Sequence, residues 1–319
     1  MKNKLLISSL SIVLSLCGGI AHAKYPERPI TMVVPFPPGG TSDLLARILA
    51  KNVGERMRVN IIVENKPGVE GQIAAQEITK ANPDGYKIGL VTSGNLSALP
   101  AMRIKPPYDV VKDFTPIADI GRYAFFLYAN PEVPVKNFKD FVSYAKANPG
   151  KMSYGSGNNT GVLIFAQVKQ QFGIDLVHVP YKGEPPAMTD LVAGRVQAMI
   201  GTAAGLPFVK EGKLNVFVSL LPERSPLAPN VPVFKEIGLG ELPVLLWAGI
   251  VGPSNMPKPI VDQLNKEFVA VLGDPSVKKQ IENLGFAVTP DSPQAFAKLI
   301  ADQVHAYKKL VTEIGLTLQ

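Results

Sequence analysis

From residue 30 onward, short apolar runs alternate with stretches in which apolar residues recur every three or four positions. The short runs predict strands at 30–34, 60–63, 87–91, 125–128, 152–154, 198–200, 214–218 and 247–251. The longer period predicts helices at 43–57, 72–80, 138–147, 162–172 and 186–193. Such alternation predicts an α/β architecture built on parallel sheets. The last third changes character and reads as helix alone, at 257–272, 275–284 and 293–311. In the last of these, Phe296, Leu299, Ile300, Val304 and Tyr307 form one apolar face.

A chain of 319 residues is long enough for two domains, yet no flexible linker, repeat or low-complexity tract divides it. Extended segments near 120–128 and 242–251, flanked by Gly or Pro, are therefore expected to cross between two domains. The expected division is 24–124 with 247–319 for a discontinuous first domain and 125–246 for a second domain inserted into it. A cleft between two such domains, at the carboxyl ends of strands, is where small solutes bind.

The N-terminus alters the setting. Lys2 and Lys4 precede an apolar run over 5–16 and the small-residue triplet Ala21-His22-Ala23, the pattern of a cleavable secretory signal over 1–23. Cleavage after Ala23 would leave an exported chain starting at Lys24. The single cysteine, Cys17, falls inside that signal, so neither disulfides nor a thiolate site are expected in the mature protein. The formal net charge of +7 loses two with the signal. The remaining Lys and Arg are scattered rather than clustered, which argues against nucleic acid and suits an anionic small molecule.

Two loops carry candidate chemistry. Pro35-Phe36-Pro37-Pro38-Gly39-Gly40-Thr41-Ser42-Asp43 leaves a strand and opens a helix. Its paired glycines permit close approach to the backbone, and the first-turn N–H groups of the helix offer an anion free donors. The same motif fits an ordinary turn capped by a Ser or Asp. Gly155-Ser156-Gly157-Asn158-Asn159-Thr160-Gly161 repeats the logic with hydroxyl and amide side chains added. Softer candidates are Asn95 beyond its strand, Arg122 and Tyr123 at the first crossing, and Trp247, the lone tryptophan, at the second. Of the three histidines only His178 and His305 follow the signal. No Gly-x-Ser-x-Gly elbow, His-Glu-x-x-His or phosphate-binding Gly-rich signature is present. The chain is not expected to be an enzyme, and neither a cofactor nor a metal is called for. A secreted hydrolase using Ser156 or Thr160 is the rival from another class.

Arg28-Pro29-Ile30 through Asp43, then Glu64-Asn65-Lys66-Pro67-Gly68, Asn82-Pro83-Asp84-Gly85-Tyr86, Ala145 to Lys151 and Val179-Pro180-Tyr181-Lys182-Gly183, resemble the Bug receptors. These are the periplasmic solute-binding proteins of tripartite tricarboxylate transporters. The resemblance implies a two-domain Venus-flytrap fold with two crossover strands, closing on a small organic carboxylate. Its first loop maps onto Phe36, Pro38, Gly39, Gly40, Thr41, Ser42 and Asp43. Its second maps onto Ser156, Asn158, Asn159 and Thr160, with Thr202 and Ala203 after a further strand. It further implies a monomer that hands its solute to the transporter's membrane components. Asn158, Thr160, Ile164 and Val168 depart from the family's usual Gly, Gly, His and Glu, and Thr202-Ala203-Ala204-Gly205 replaces a usual polar segment. Walls less polar around Ala203 and Ala204, with an added Arg122, point to an anion with an apolar or aromatic body. A receptor for an amino acid or a neutral solute is the alternative within the binding class.

Overall fold

The computed structural model describes residues 25–238, 240 and 243–318; the expected signal over 1–23 lies outside them. The chain runs β1 (Ile30–Val34), α1 (Thr41–Met57), β2 (Ile61–Asn65), α2 (Gln72–Thr79), β3 (Lys87–Thr92), β4 (Phe114–Tyr123) and β5 (Phe125–Ala129). It continues through α3 (Phe138–Ala147), β6 (Ser153–Ser156), α4 (Asn159–Phe172), β7 (Val177–Pro180), α5 (Glu184–Val192), β8 (Ala198–Thr202) and β9 (Asn215–Ser219). It ends with β10 (Trp247–Pro253), α6 (Lys258–Leu272), α7 (Pro275–Asn283), β11 (Phe286–Val288) and α8 (Pro293–Glu313).

Two sheets result, with orders β11-β4-β10-β3-β1-β2 and β7-β6-β8-β5-β9. They are mixed rather than parallel throughout. β1 pairs in parallel with β2 and β3, whereas β10 runs antiparallel to both β3 and β4. Likewise β6 is parallel to β7 and β8 while β5 is antiparallel to β8 and β9. β11, at the edge, is also antiparallel to β4; the other antiparallel members, β10 and β5, enter their sheets from the other one. They arrive without the crossover helix that would impose parallel pairing.

β4 escapes the apolar-run reading because Pro116, Asp119 and Gly121 interrupt it. It nonetheless pairs along β10 with two register breaks, as bulges allow. Gly121 has a φ of +147°, and a Cβ there would lie 2.1 Å from the Ala287 carbonyl oxygen. A glycine is therefore what admits β11 to the sheet edge. Only Ala124 separates β4 from β5, so the first crossing is nearly continuous strand. The second returns through Leu245 and Leu246 outside any strand before β10 begins. Tyr123 N–H donates to Leu246 O at 3.0 Å, placing the crossings side by side.

Helix α1 buries two of its three leucines and turns the third outward. Leu45, Ala46, Leu49 and Val53 are fully buried with β1 residues Ile30, Met32 and Val34, while Leu44 is 41% exposed. Helix α8 follows its expected face more closely: Phe296, Ile300 and Tyr307 are buried, with Leu299 and Val304 partly covered. Urea unfolding checks the α1 assignment. Leu49→Ala should cost about 2–5 kcal/mol, as for a filled core site, and Leu44→Ala no more than about 0.5 kcal/mol.

Candidate functional site

Where the loops of the two sheets meet, a cavity encloses about 540 Å³ of space free of atoms, its mouth included. The first sheet's side contributes Phe36, Gly40, Thr41, Ser42, Thr92 and Gly94. The other side contributes Gly157, Asn158, Glu184, Pro185 and Thr202. Tyr123, Phe125 and Phe286 form an aromatic wall beside the first crossing, Tyr123 lying 5.0 Å from Phe125 and 5.7 Å from Phe286 between ring centres. Among the described residues, no lysine, arginine or histidine lines the cavity.

The first loop is held from behind. Asp43 is buried, and its carboxylate accepts from the Gly39 N–H at 2.9 Å, from Asn65 Nδ2 at 2.9 Å and from Arg47 at 2.9–3.0 Å. Burial alone would raise its pKa. The bonds from Arg47, Gly39 and Asn65 outweigh that and hold it below the ordinary carboxylate range. Asn65 also donates to the Phe36 carbonyl oxygen at 3.0 Å. Helix α1 has Gly40 at its N-cap and no side chain capping its first turn, so the loop's scaffold leaves those amides to the cavity. Helix α4 is capped: Asn158 Oδ1 accepts from Gly161 N–H at 2.8 Å.

Of the residues singled out from the sequence, Phe36, Gly40, Thr41, Ser42, Tyr123, Asn158 and Thr202 line the cavity. Pro38 and Gly39 lie exposed on the outer side of the loop, and Asp43 sits behind it. Asn95 is buried at the end of β3, where its Oδ1 accepts from the Thr92 N–H at 2.7 Å. Ser156 faces His178 Nε2 at 2.6 Å. Asn159 lines a second opening with His178, and Thr160 is buried beside the Tyr123 and Tyr307 hydroxyls. Ala203 packs against Gly285, and Trp247 is fully buried, edge-on to Phe296 at 5.4 Å. Arg122 makes two 2.9 Å bonds to Asp119 and does not line the cavity, so the expected arginine–carboxylate contact is not formed there.

The Ser156–His178 pair lacks the rest of a nucleophilic site. Ser156 is 2% exposed and lines neither opening. His178 stacks on Tyr154 at 4.9 Å, and burial, aided by Lys169, depresses its pKa. No described carboxylate orients its other nitrogen.

Glu184 is the residue that sequence reasoning missed. It opens α5 after Gly183, where an acid reads simply as a partner for the helix dipole. In the structure its Oε1 accepts from Thr202 N–H at 2.7 Å and Thr202 Oγ1 at 2.9 Å. The same Thr202 hydroxyl lies 2.7 Å from Thr41 Oγ1, a buried contact between the two sheets' loops. Gly183 makes that approach possible, since a Cβ there would sit 2.5 Å from Pro37 Cδ. Phe286 escaped notice because its strand has only three residues.

Burial pushes the Glu184 carboxyl up to about 7, the two bonds from Thr202 opposing it only in part. Between its ordinary value and about 7 the folded protein holds a proton that the unfolded chain has lost. Stability due to this group therefore falls as pH rises through that window. Relative to the native protein, Glu184→Gln should gain on the order of 2–3 kcal/mol between pH 4.5 and pH 8. Denaturant unfolding at both pH values reads it, and a difference flat with pH would contradict the assignment.

Residues 45–316 match the family model described as the tripartite tricarboxylate transporter family receptor. A Cupriavidus necator protein of the UPF0065 group is 32% identical, covering 97% of this chain and 95% of its own. The periplasmic binding protein BugD is 31% identical with a TM-score of 0.86, over 92% of this chain and 99% of its own. A Rhodopseudomonas palustris protein solved with adipate is 30% identical with a TM-score of 0.86, over 91% and 98%. Match length and shared two-sheet architecture agree: the chain belongs to the tripartite tricarboxylate transporter receptor family.

Proposed function

We propose that this protein is a periplasmic receptor that closes around a small organic carboxylate and presents it to the membrane components of a tripartite tricarboxylate transporter. The observation that carries the reading is the uncapped first turn of α1 at Gly40, Thr41 and Ser42, which lines a cavity devoid of cationic side chains. An anion there meets peptide dipoles rather than a counter-charge. A relative solved with adipate supports the solute class.

Residues 24–124 with 247–319 act as one lobe and 125–246 as the other, hinged at Tyr123–Phe125 and Leu246. Solute contacts both lobes and so shifts the population toward the closed form. The protein works as a monomer, exported by a signal cleaved after Ala23, and returns its solute unchanged.

Thermal unfolding against carboxylates and their methyl esters tests the reading. A solute at about 100 times its dissociation constant adds roughly 2.7 kcal/mol and raises Tm by a few degrees. Free acids should do so and esters should not; equal shifts would sink the loop assignment. Thr41→Val removes the hydroxyl that meets Thr202 across the cleft. It should weaken binding by about 5–10-fold, the worth of one hydrogen bond of about 1 kcal/mol, without lowering solute-free stability by more than a similar amount.

A further inference from the structure

The cavity sets an acid beside the loop that would hold an anion. Two hydrogen bonds, Thr41 Oγ1 to Thr202 Oγ1 at 2.7 Å and Thr202 Oγ1 to Glu184 Oε1 at 2.9 Å, are all that separate them. Both donors to Glu184 fall on Oε1, and Oε2 accepts from none of the described residues. No salt bridge reaches Glu184 among the described residues, and no cationic side chain lines the cavity. Tyr128 is the other titratable group close by, and its hydroxyl is engaged with the Thr202 carbonyl oxygen at 2.7 Å.

A solute carboxylate on the amides of Gly40, Thr41 and Ser42 would thus face a second carboxylate across a cavity with no cationic side chain to offset it, and like charges there repel. A cation carried by the solute, close to its own carboxylate, resolves this by pairing with both. Glu184 is suited to the ionised form it would then take, since two Thr202 donors and the N-terminus of nine-residue α5 already favour its negative charge. Phe36, Phe125, Phe286 and Pro185 make an apolar surface beside the neutral polar groups of Thr92, Tyr123 and Asn158.

We infer that the solute is an amino acid with an apolar or aromatic side chain, its carboxylate on the loop amides, its ammonium on Glu184 and its side chain against the aromatic wall. This deepens the carboxylate-receptor reading and rests on it. A dicarboxylate, by contrast, could enter only with Glu184 protonated, taking up a proton on binding.

Titration calorimetry at pH 7.5 on solute-free protein tests this with L-phenylalanine, L-leucine, 3-phenylpropionate (phenylalanine without its amine) and adipate. One of the two amino acids should bind at least about tenfold more tightly than 3-phenylpropionate, a gain of about 1.4 kcal/mol, and adipate should bind more weakly still. Glu184→Gln keeps a carbonyl oxygen for the Thr202 donors. It should abolish the advantage of the amine and leave 3-phenylpropionate as well bound or better. If that variant does not fold, the comparison of solutes on the native protein decides alone. Tightest binding of 3-phenylpropionate or adipate, or an amine advantage that survives Glu184→Gln, overturns the inference and leaves the carboxylate receptor standing. Binding of none of the four, with the thermal panel also silent, overturns both.

Discussion

One residue, Ala124, stands between a strand of the first sheet and a strand of the second, and the backbone around it is clamped from several sides. Tyr123 N–H donates to Leu246 O, Ala124 N–H to Gly285 O, and Leu220 N–H to Phe125 O. The crossing is therefore bonded to the returning chain, to the turn before β11 and to the segment after β9. Its side chains, Tyr123 and Phe125, are also cavity wall. Crossing and cavity wall share residues, so in the closure proposed above a solute resting on that wall would touch the segment that joins the lobes.

In the proposed reading, recognition is divided between kinds of atom. The anion end would fall to peptide N–H groups of a loop held from behind by a carboxylate that does not line the cavity. Asp43 gathers donors from Gly39, Asn65 and Arg47, and its negative charge is spent on the scaffold. Selectivity would then fall to cavity side chains outside that scaffold, namely Glu184 and the Phe125–Phe286 wall. Arg122, which chemistry alone would nominate as the anion's partner, is held by Asp119 three residues away. An intact local ion pair keeps it from the cleft.

Most of the framework was legible because it rests on periodicity. Strands 30–34 and 87–91 and the helix over 138–147 stand within a residue of where the pattern puts them. The elements that eluded it are those whose pairing depends on long-range contacts. β4 carries Pro116 and Gly121 and is stabilised by β10, some 130 residues later, while β7 and β11 have only four and three residues. The site was half legible for a similar reason. Local motifs found the amides of Gly40 to Ser42 and the capped turn at Asn158. They could not show that Glu184 meets Thr202, or that Phe286 completes a wall begun by Tyr123, because those neighbours come from distant segments. Glycine in a motif was also ambiguous: Gly40 lines the cavity, whereas Gly39 is turned outward with its amide given to Asp43.

Trp247, the only indole in the chain, is fully buried between β10 and α8 and does not line the cavity. Light absorbed at the red edge of the protein band is therefore taken up at a place outside the cavity lining. Its emission reports whether the first sheet is packed against its last helix. A change on adding solute, with that packing intact, would report movement of the crossing segments, through Leu246 beside it in the chain or Arg122 opposite it on β4. The molecule carries its own optical probe of the crossing, insulated from the chemistry of whatever it binds.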